Sequence, residues 1–367
     1  MASITYDYAM GPPWVMNDDI EAAAHDAYER GRSIYEAISD EEIRQLRSNP
    51  EYAKRVRRRY AESGVDAISV TVSRGIGMDP PAGTGDFTTD LLRWQARFDA
   101  VDWLHKIVEP GQLSDLAGVD DVGIILNTQH LDRATRGDLD RGEQLFNAGI
   151  RVFQLTYNKQ NAIGTGCLDM SDGGLSNYGQ DIVDRLNRLG GIVDLSHCAP
   201  RTTADAIEYS DDPVAFTHTF CRDLVDHPRA KTDEELRAVA EAGGYVGILA
   251  IPWFYEQDEQ SPLEVVFEHI DHAVDVVGTD HVGIGTDFAH VSTACPSSIV
   301  DSRKDAISQN SWSSDYMPRY GEGCGEFESY SDFPVMEERL SDRYTDTEVE
   351  QILGENFQAF WERVDGK

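Results

Sequence analysis

Eight short apolar segments of this chain each run into a polar or titratable residue at their C-terminal end. Stretches with helical periodicity separate most of them. Strands that alternate with helices form a parallel sheet, and eight such units predict an α/β fold, a (β/α)8 barrel. The segments are Ile4 to Ala9, Ala67 to Val72, Val122 to Gln129, Val152 to Tyr157, Gly191 to His197, Pro213 to His218, Gly244 to Ala250 and His281 to Phe288.

Three of these segments end on side chains that carry chemistry, namely His197, His218 and Asp287. The C-terminal ends of barrel strands gather on one rim, so we expect the three side chains to lie close together. Two imidazoles from neighbouring strands can bind one metal ion, and an aspartate beside them can act as a general base. Taken one at a time, a hydrogen-bonded structural histidine or a loop-capping aspartate remains the alternative.

The length of 367 residues fits one barrel with insertions, so we predict a single domain over residues 1–367. The segment 289–342, after the eighth strand, is a long insertion with several aromatic residues, Trp312 and Tyr316 among them. Loops of this length are either functional or disordered, and aromatic residues argue against disorder. The insertion is therefore predicted to be a lid or an oligomer contact, and the second role predicts a homodimer.

The chain is strongly acidic, with 66 Asp and Glu against 32 Lys and Arg and a formal net charge of −34. This balance excludes binding to nucleic acid or to an anionic membrane surface as the expected function. The acidic residues are spread along the chain, and only six of the basic residues are lysine. Such a composition is typical of proteins from extreme halophiles. An ordinary acidic cytoplasmic enzyme is the alternative.

The five cysteines form no C-x-x-C pair, so neither a disulfide framework nor a zinc knuckle is indicated. Reduced thiols fit a cytoplasmic protein. The N-terminus shows no basic stretch followed by an apolar one, and no apolar run reaches the ~18 residues of a membrane span. We therefore expect an unprocessed, soluble protein in the cytoplasm.

The motifs around the candidate residues are, in order, Val193-Asp194-Leu195-Ser196-His197, Phe216-Thr217-His218-Thr219 with Arg222, Asp226-His227-Pro228-Arg229, and Gly283-Ile284-Gly285-Thr286-Asp287-Phe288. In order and spacing they resemble the signature of the membrane (renal) dipeptidase family of zinc peptidases. Further similarity lies at residues 149–158, 174–179 and 352–357, so the resemblance covers most of the chain. It implies a (β/α)8 barrel of the metal-dependent amidohydrolase type, as the strand count does independently.

The resemblance also implies roles for individual residues. His197 and His218 are expected to be ligands of one zinc ion, and Asp287 the catalytic acid and base. Arg222 is expected to bind the C-terminal carboxylate of the substrate. Arginine suits that task because its planar guanidinium pairs with a carboxylate through two hydrogen bonds.

This chain departs from the family at the first strand. Active members carry a His-x-Asp pair there, and alignment on Pro13 and Trp14 puts Ala9 and Gly11 in its place. A register shifted by one residue offers Tyr8 and Met10 instead. In either register one metal has lost its two private ligands, so we predict at most one zinc per chain.

Two further departures affect the rim. The family's glutamate that bridges both metals is replaced by Asn127, whose neutral amide cannot serve as a bridging anion. The family's substrate-polarising histidine is replaced by Tyr157, which can still donate a hydrogen bond to an oxyanion. Asn127 and Tyr157 are therefore predicted to contact the substrate, Tyr157 as a catalytic residue also.

If Asp287 were itself a zinc ligand, another residue would have to act as the base. Asp7, Tyr8 and His130 are the candidates, although His130 has a structural role as its alternative. Cys198 adjoins His197, and its thiol could act as a nucleophile. We interpret it as a small buried apolar residue, the more common role of such a thiol.

Three functions fit these observations. The first is a hydrolase of a dipeptide or a small N-acyl amino acid that uses one zinc ion. The second is a divergent member that binds or modifies a carboxylate-bearing metabolite. The third is a non-catalytic scaffold, which the joint presence of His197, His218, Arg222 and Asp287 disfavours.

Overall fold

A computed structural model describes residues 3–9, 15–72, 87–129, 131–250, 255, 262–288 and 333–366. Its strands form one parallel sheet in the order β1-β2-β4-β5-β6-β7-β8-β9, with β3 paired to β4. The strands are β1 Tyr6–Ala9, β2 Ala67–Thr71, β3 Leu104–Lys106, β4 Val122–Thr128, β5 Ile150–Gln154, β6 Ile192–Asp194, β7 Ala215–Thr219, β8 Tyr245–Ile248 and β9 Val282–Ile284. Each of the eight predicted segments contains or overlaps one strand of this sheet.

The first and last strands meet through hydrogen bonds at their C-terminal ends. The backbone N–H of Asp287 donates to the carbonyl oxygen of Tyr8 at 2.9 Å. The carboxylate of Asp7 accepts from the backbone N–H of Thr286 at 2.8 Å and from its hydroxyl at 2.6 Å. The sheet is thereby closed into a nearly complete barrel, and the predicted (β/α)8 fold is confirmed.

Strand β3 was not predicted. It follows the helix Phe87–Phe98 and lies between the second and third predicted segments. Leu104 pairs with Val122 in the first half of β4, while β5 pairs with the second half. Its residues Leu104, His105 and Lys106 form no apolar run of the kind that marks the eight predicted segments, which is why the sequence did not reveal it.

The α-helices lie outside the barrel and begin and end where short sequence signals stand. Ser176 accepts a hydrogen bond from the backbone N–H of Gly179, and Gly190, with φ of 75°, ends the same helix. Thr232 and Glu235 form a capping box at the start of the helix Asp233–Glu241. The helices are Asp18–Glu29, Ile34–Ser48, Pro50–Ser63, Phe87–Phe98, Gly111–Ser114, Leu131–Thr135, Leu139–Ala148, Asn177–Leu189, Pro200–Tyr209, Asp233–Glu241, Pro262–Val277, Pro334–Ser341, Asp346–Glu350 and Asn356–Asp365.

The barrel interior and the layer between barrel and helices form two separate apolar clusters. The interior cluster includes Tyr6, Tyr8 and Tyr245 together with Phe357 of the last helix. The ring of Phe357 stacks on that of Tyr6 with centroids 3.6 Å apart. The last helix therefore packs against the N-terminal ends of the strands, which leaves the C-terminal ends for the site.

Most of the predicted insertion 289–342 lies outside the described residues. Its last part contains the helix Pro334–Ser341, which is held to the helix Pro262–Val277 by an ion pair between Arg339 and Glu264. Arg343 pairs with the same carboxylate. Among the helices that the structure describes, none is both long and apolar enough to cross a membrane.

Candidate metal centre

The two predicted histidine ligands meet at the rim. His197 follows β6 and His218 lies in β7, and the Nε2 atoms of the two rings are 3.2 Å apart. Both side chains are buried. The structure thus brings together two imidazoles that the chain places 21 residues apart.

The hydrogen bonds on the far side of each ring show which nitrogen carries the proton. Thr217 donates its single hydroxyl proton to Asp194 at 2.7 Å, so it must accept from Nδ1 of His218, 2.8 Å away. Nδ1 of His197 lies 2.7 Å from the carbonyl oxygen of the Asn158 side chain, which can only accept. In the neutral rings both Nε2 atoms therefore carry a lone pair.

Asp194 organises this side of the site. Its carboxylate accepts hydrogen bonds from the backbone N–H and the hydroxyl of Ser196 and from the same two groups of Thr217. Burial raises its pKa, and these four bonds favour the ionised form. Burial also lowers the pKa of His218 well below its usual value, which keeps this ring neutral.

Two lone pairs that face each other at 3.2 Å fit a shared cation. Zinc–nitrogen bonds of ~2.05 Å at a tetrahedral angle place the two nitrogens ~3.3 Å apart. The partners on the far side of each ring also match the usual support of a metal-binding histidine, in which the second nitrogen donates to an oxygen. The residues present therefore fit one zinc ion at the histidine pair.

Two tyrosines stack on the histidines. The ring of Tyr8 lies parallel to that of His218, with centroids 4.5 Å apart and planes 7° apart. The ring of Tyr157 stacks on His197 at 4.3 Å. Burial raises the pKa of both phenols, so each keeps its proton at neutral pH. Tyr157 thus lies beside His197, while its predicted roles in substrate contact and catalysis stay predictions.

Asn127 lies near the C-terminal end of β4 and is fully buried. Its side-chain oxygen accepts from the hydroxyl of Tyr8 at 3.1 Å, and its nitrogen donates to Ser69 at 3.0 Å. Gln129 donates to the same hydroxyl at 3.4 Å. The amide is thus part of a neutral network, and its contact with a substrate stays a prediction.

The structure decides between the two registers of the first strand. Tyr8 belongs to the cluster inside the barrel, whereas Ala9 belongs to the cluster beneath the helices. Tyr8 therefore occupies the inward position, and Ala9 points away from the site. Met10, Gly11 and His130 lie outside the described residues.

These residues do not fit a second metal ion. The inward residue of the first strand is a phenol that keeps its proton, and the bridging position holds the neutral Asn127. Two divalent ions ~3.5 Å apart repel each other by on the order of 20 kcal/mol at an effective dielectric constant of ~20. A bridging anion normally offsets that repulsion.

Asp287 follows β9 and has a φ of 54°, a left-handed backbone conformation that is uncommon outside glycine. Such residues cluster at functional sites. The side chain is only 8% exposed, and its negative charge raises the pKa of Tyr157 and Tyr8. Asp287 therefore lies within electrostatic reach of the rings that stack on the histidines.

The described contacts of Arg222 include neither His197 nor His218. Its side chain is 38% exposed and pairs with Asp226 at 3.2 Å. Its remaining described hydrogen bond joins its backbone N–H to the carbonyl oxygen of Lys231. The role of Arg222 in binding a substrate carboxylate stays a prediction.

Arg229 is the arginine that the sequence interpretation missed. It is 1% exposed, and its two terminal nitrogens donate to the backbone oxygens of Ser196 and His218. Its Nε has no hydrogen-bond partner among the described residues. Burial lowers the pKa of the guanidinium, and the charge of Asp287 opposes that fall. The motif Asp226-His227-Pro228-Arg229, which belongs to the family resemblance, was the sequence signal that could have identified it.

Asp7 and Cys198, two further candidates from the sequence, make contacts that suit structural roles. Both carboxylate oxygens of Asp7 accept hydrogen bonds from Thr286, which ties β1 to β9. Cys198 is buried, and burial raises the pKa of its thiol to about 11. A thiol of this kind is protonated at neutral pH, which agrees with the apolar role predicted for it.

Fold and site together define a parallel (β/α)8 barrel with a histidine pair at its C-terminal rim. The sequence profile of the membrane dipeptidase family (peptidase family M19) matches residues 104–304. The chain belongs to this family. The matched range includes both histidines, both arginines and Asp287, and it begins after β1 and β2.

Two curated relatives that the chain resembles are named dipeptidases. Dipeptidase verJ of Clonostachys rogersoniana is 34% identical over 196 residues, which are 53% of this chain and 47% of that protein. An uncharacterized dipeptidase of Schizosaccharomyces pombe is 38% identical over 149 residues, 40% of this chain and 36% of that protein. The chain thus matches less than half the length of these curated relatives.

Solved structures share the fold over the whole chain. An amidohydrolase from Pseudomonas aeruginosa has a TM-score of 0.72 and 24% identity and covers 100% of this chain and 97% of its own. A metallopeptidase from Rhodobacter sphaeroides, liganded with a phosphinate mimic of the dipeptide L-Ala-D-Ala, has a TM-score of 0.66 and 18% identity, and covers 99% and 100%. At these identities the likeness concerns the fold alone.

Proposed function

We propose that this protein is a hydrolase with a single zinc ion that acts on a dipeptide or a small N-acyl amino acid. The observation that carries the proposal is the convergence of two Nε2 lone pairs at 3.2 Å, each set by a hydrogen bond on the far side of its ring. When bound there, zinc supplies Lewis acidity toward a carbonyl oxygen or a water molecule.

The side chains around the histidine pair can supply the other groups that hydrolysis needs. Asp287 is the buried carboxylate near the rings, and we assign it the transfer of a proton from the attacking water to the leaving amine. Tyr157 keeps its proton because burial raises its pKa, so its hydroxyl can donate to the oxygen on which negative charge develops.

A substrate carboxylate needs a cationic partner, and two arginines are candidates. Arg229 is favoured because it is buried behind the histidines and its Nε has no described partner. Arg222 is the candidate from the sequence and lies at a more exposed position. We propose Arg229 as the residue that binds the carboxylate.

Hydrolysis of a panel of L,L and L,D dipeptides with added zinc tests the proposal. The expected result is slow turnover, below the ordinary range of ~1 to 1,000 per second, that is lost in His218→Ala. The Michaelis constant should rise more than tenfold in Arg229→Lys and stay unchanged in Arg222→Lys, since lysine lacks the Nε–H donor that remains when the terminal nitrogens of Arg229 bind the backbone. Fast turnover in the parent would contradict the single-ion site.

A second candidate function is supported by the Tyr8 and Asn127 network, which the family's two-metal site does not have. In this case the protein binds or modifies a carboxylate-bearing metabolite without dipeptidase activity. Binding of a dipeptide without any zinc-dependent hydrolysis, weakened in Arg229→Lys, would favour this function over the first.

A further inference from the structure

We infer that the side chain of Tyr8 takes the place of a second cation and restricts this site to one metal ion. The inference rests on the proposed function, because it assumes that the histidine pair binds a cation. Tyr8 is fully buried, faces the barrel interior, and lies flat against the ring of His218 at 4.5 Å. The phenol therefore fills the space directly beside one ligand of the proposed zinc ion.

The oxygen atoms near this space already accept hydrogen bonds. Gln129 donates to the Tyr8 hydroxyl at 3.4 Å, and that hydroxyl donates to the side-chain oxygen of Asn127 at 3.1 Å. The nitrogen of Asn127 donates in turn to Ser69 at 3.0 Å. A cation in this space would have to displace the ring and break this chain of hydrogen bonds. The oxygen atoms that this chain of hydrogen bonds would offer in return, those of Tyr8, Asn127 and Ser69, are all neutral.

The stack on His218 gives Tyr8 a second effect. Thr217 holds Nδ1 of His218 at 2.8 Å, and the phenol ring covers one face of the same imidazole. The ring plane of His218 is thus set by two contacts. Tyr8 is in this sense a positioning residue for the remaining metal ligand.

Restoring the family ligands in the two possible registers tests the inference. The first triple variant restores these ligands in the register of Tyr8 and consists of Tyr8→His, Met10→Asp and Asn127→Glu. The second restores them in the register of Ala9 and consists of Ala9→His, Gly11→Asp and Asn127→Glu. Elemental analysis after purification with zinc should show one more zinc per chain than the parent in the first triple variant and no gain in the second. The inference would be overturned if only the second triple variant bound an additional zinc ion. It would also be overturned if neither variant did, provided that circular dichroism shows both to be folded.

Single substitutions provide a test that does not require the triple variants to fold. Tyr8→Phe keeps the ring and should bind zinc within about threefold of the parent, whereas Tyr8→Leu should bind at least tenfold more weakly. Equal affinities of the Phe and Leu variants would contradict the positioning role. A parent that binds no zinc would refute the proposed function, while the zinc gained by the first triple variant would still test the place of Tyr8.

Discussion

Replacing Thr217 by valine should weaken zinc binding although Thr217 is not itself a ligand. The change keeps the side-chain shape but removes the hydroxyl that accepts from Nδ1 of His218 and donates to Asp194. The Nδ1–H group is fully buried with its ring, so it is left without a partner. The proton can then move to Nε2, where it competes with the metal ion.

The expected magnitude follows from this geometry. Loss of the oxygen that supports a ligating histidine lowers metal affinity by about 10- to 100-fold, which is about 1.4 to 2.8 kcal/mol. One of the four hydrogen bonds to Asp194 is also lost. Thr217→Ser retains a hydroxyl and should recover most of the affinity.

The assay is competition for zinc against a chromophoric chelator at constant pH and salt concentration. Thr203→Val is the matched control, because Thr203 is an equally buried threonine whose hydroxyl accepts from Lys231 at 3.0 Å and contacts neither histidine. Zinc binding by Thr217→Val as tight as that of the parent would refute the reasoning. An equal loss in Thr203→Val would show that the effect is a general destabilisation.

Three other predictions concern stability. The melting temperature should rise with KCl, because repulsion among 66 acidic and 32 basic residues is screened as the Debye length falls from ~10 Å at 0.1 M to ~3 Å at 1 M; a flat or falling curve would remove the halophile interpretation. Burial lowers the pKa of His269 to about 3, so as the pH falls below about 6.5 the unfolded chain binds a proton at this residue before the folded chain does. The free energy of unfolding should therefore fall by about 2 to 3 kcal/mol by about pH 4.5. Denaturant titrations at about pH 6.5 and about pH 4.5 should show this loss of stability in the parent and a smaller loss in His269→Gln. Equal losses in the two proteins would contradict the prediction. A Cβ at Gly285 would lie 2.0 Å from the carbonyl oxygen of Thr217, so Gly285→Ala should cost about 1 to 3 kcal/mol in urea unfolding. Gly142→Ala, where a Cβ meets nothing within 4 Å, is the control and should be neutral or stabilising; an equal effect of the two changes would contradict the close approach.

Much of the fold was predictable because each barrel strand is an apolar run between helix signals. Ser176 and Gly190 mark the ends of one helix in the sequence and in the structure alike. Strand β3 was missed because its three residues, Leu104–Lys106, form a strand only through pairing with β4. That pairing is a long-range contact and leaves no local pattern.

The site was predictable to the extent that it depends on strand ends. His197 and His218 were expected on one rim, and their Nε2 atoms meet there. The two arginines could not be ranked in the same way, because Arg222 and Arg229 stand in neighbouring motifs with the same charge. Their burial differs, and burial is set by how the loop after β7 folds against the strand ends.

The sequence by itself determined the barrel, the family and the histidine pair, because these follow from strand order and from residues at strand ends. Only the tertiary structure decided the register of the first strand, and with it the place of Tyr8. All four residues of β1 are buried, since one face lies in the barrel interior and the other beneath the helices. A strand buried on both faces shows no alternation of polar and apolar residues, so its sequence cannot tell which residues point inward.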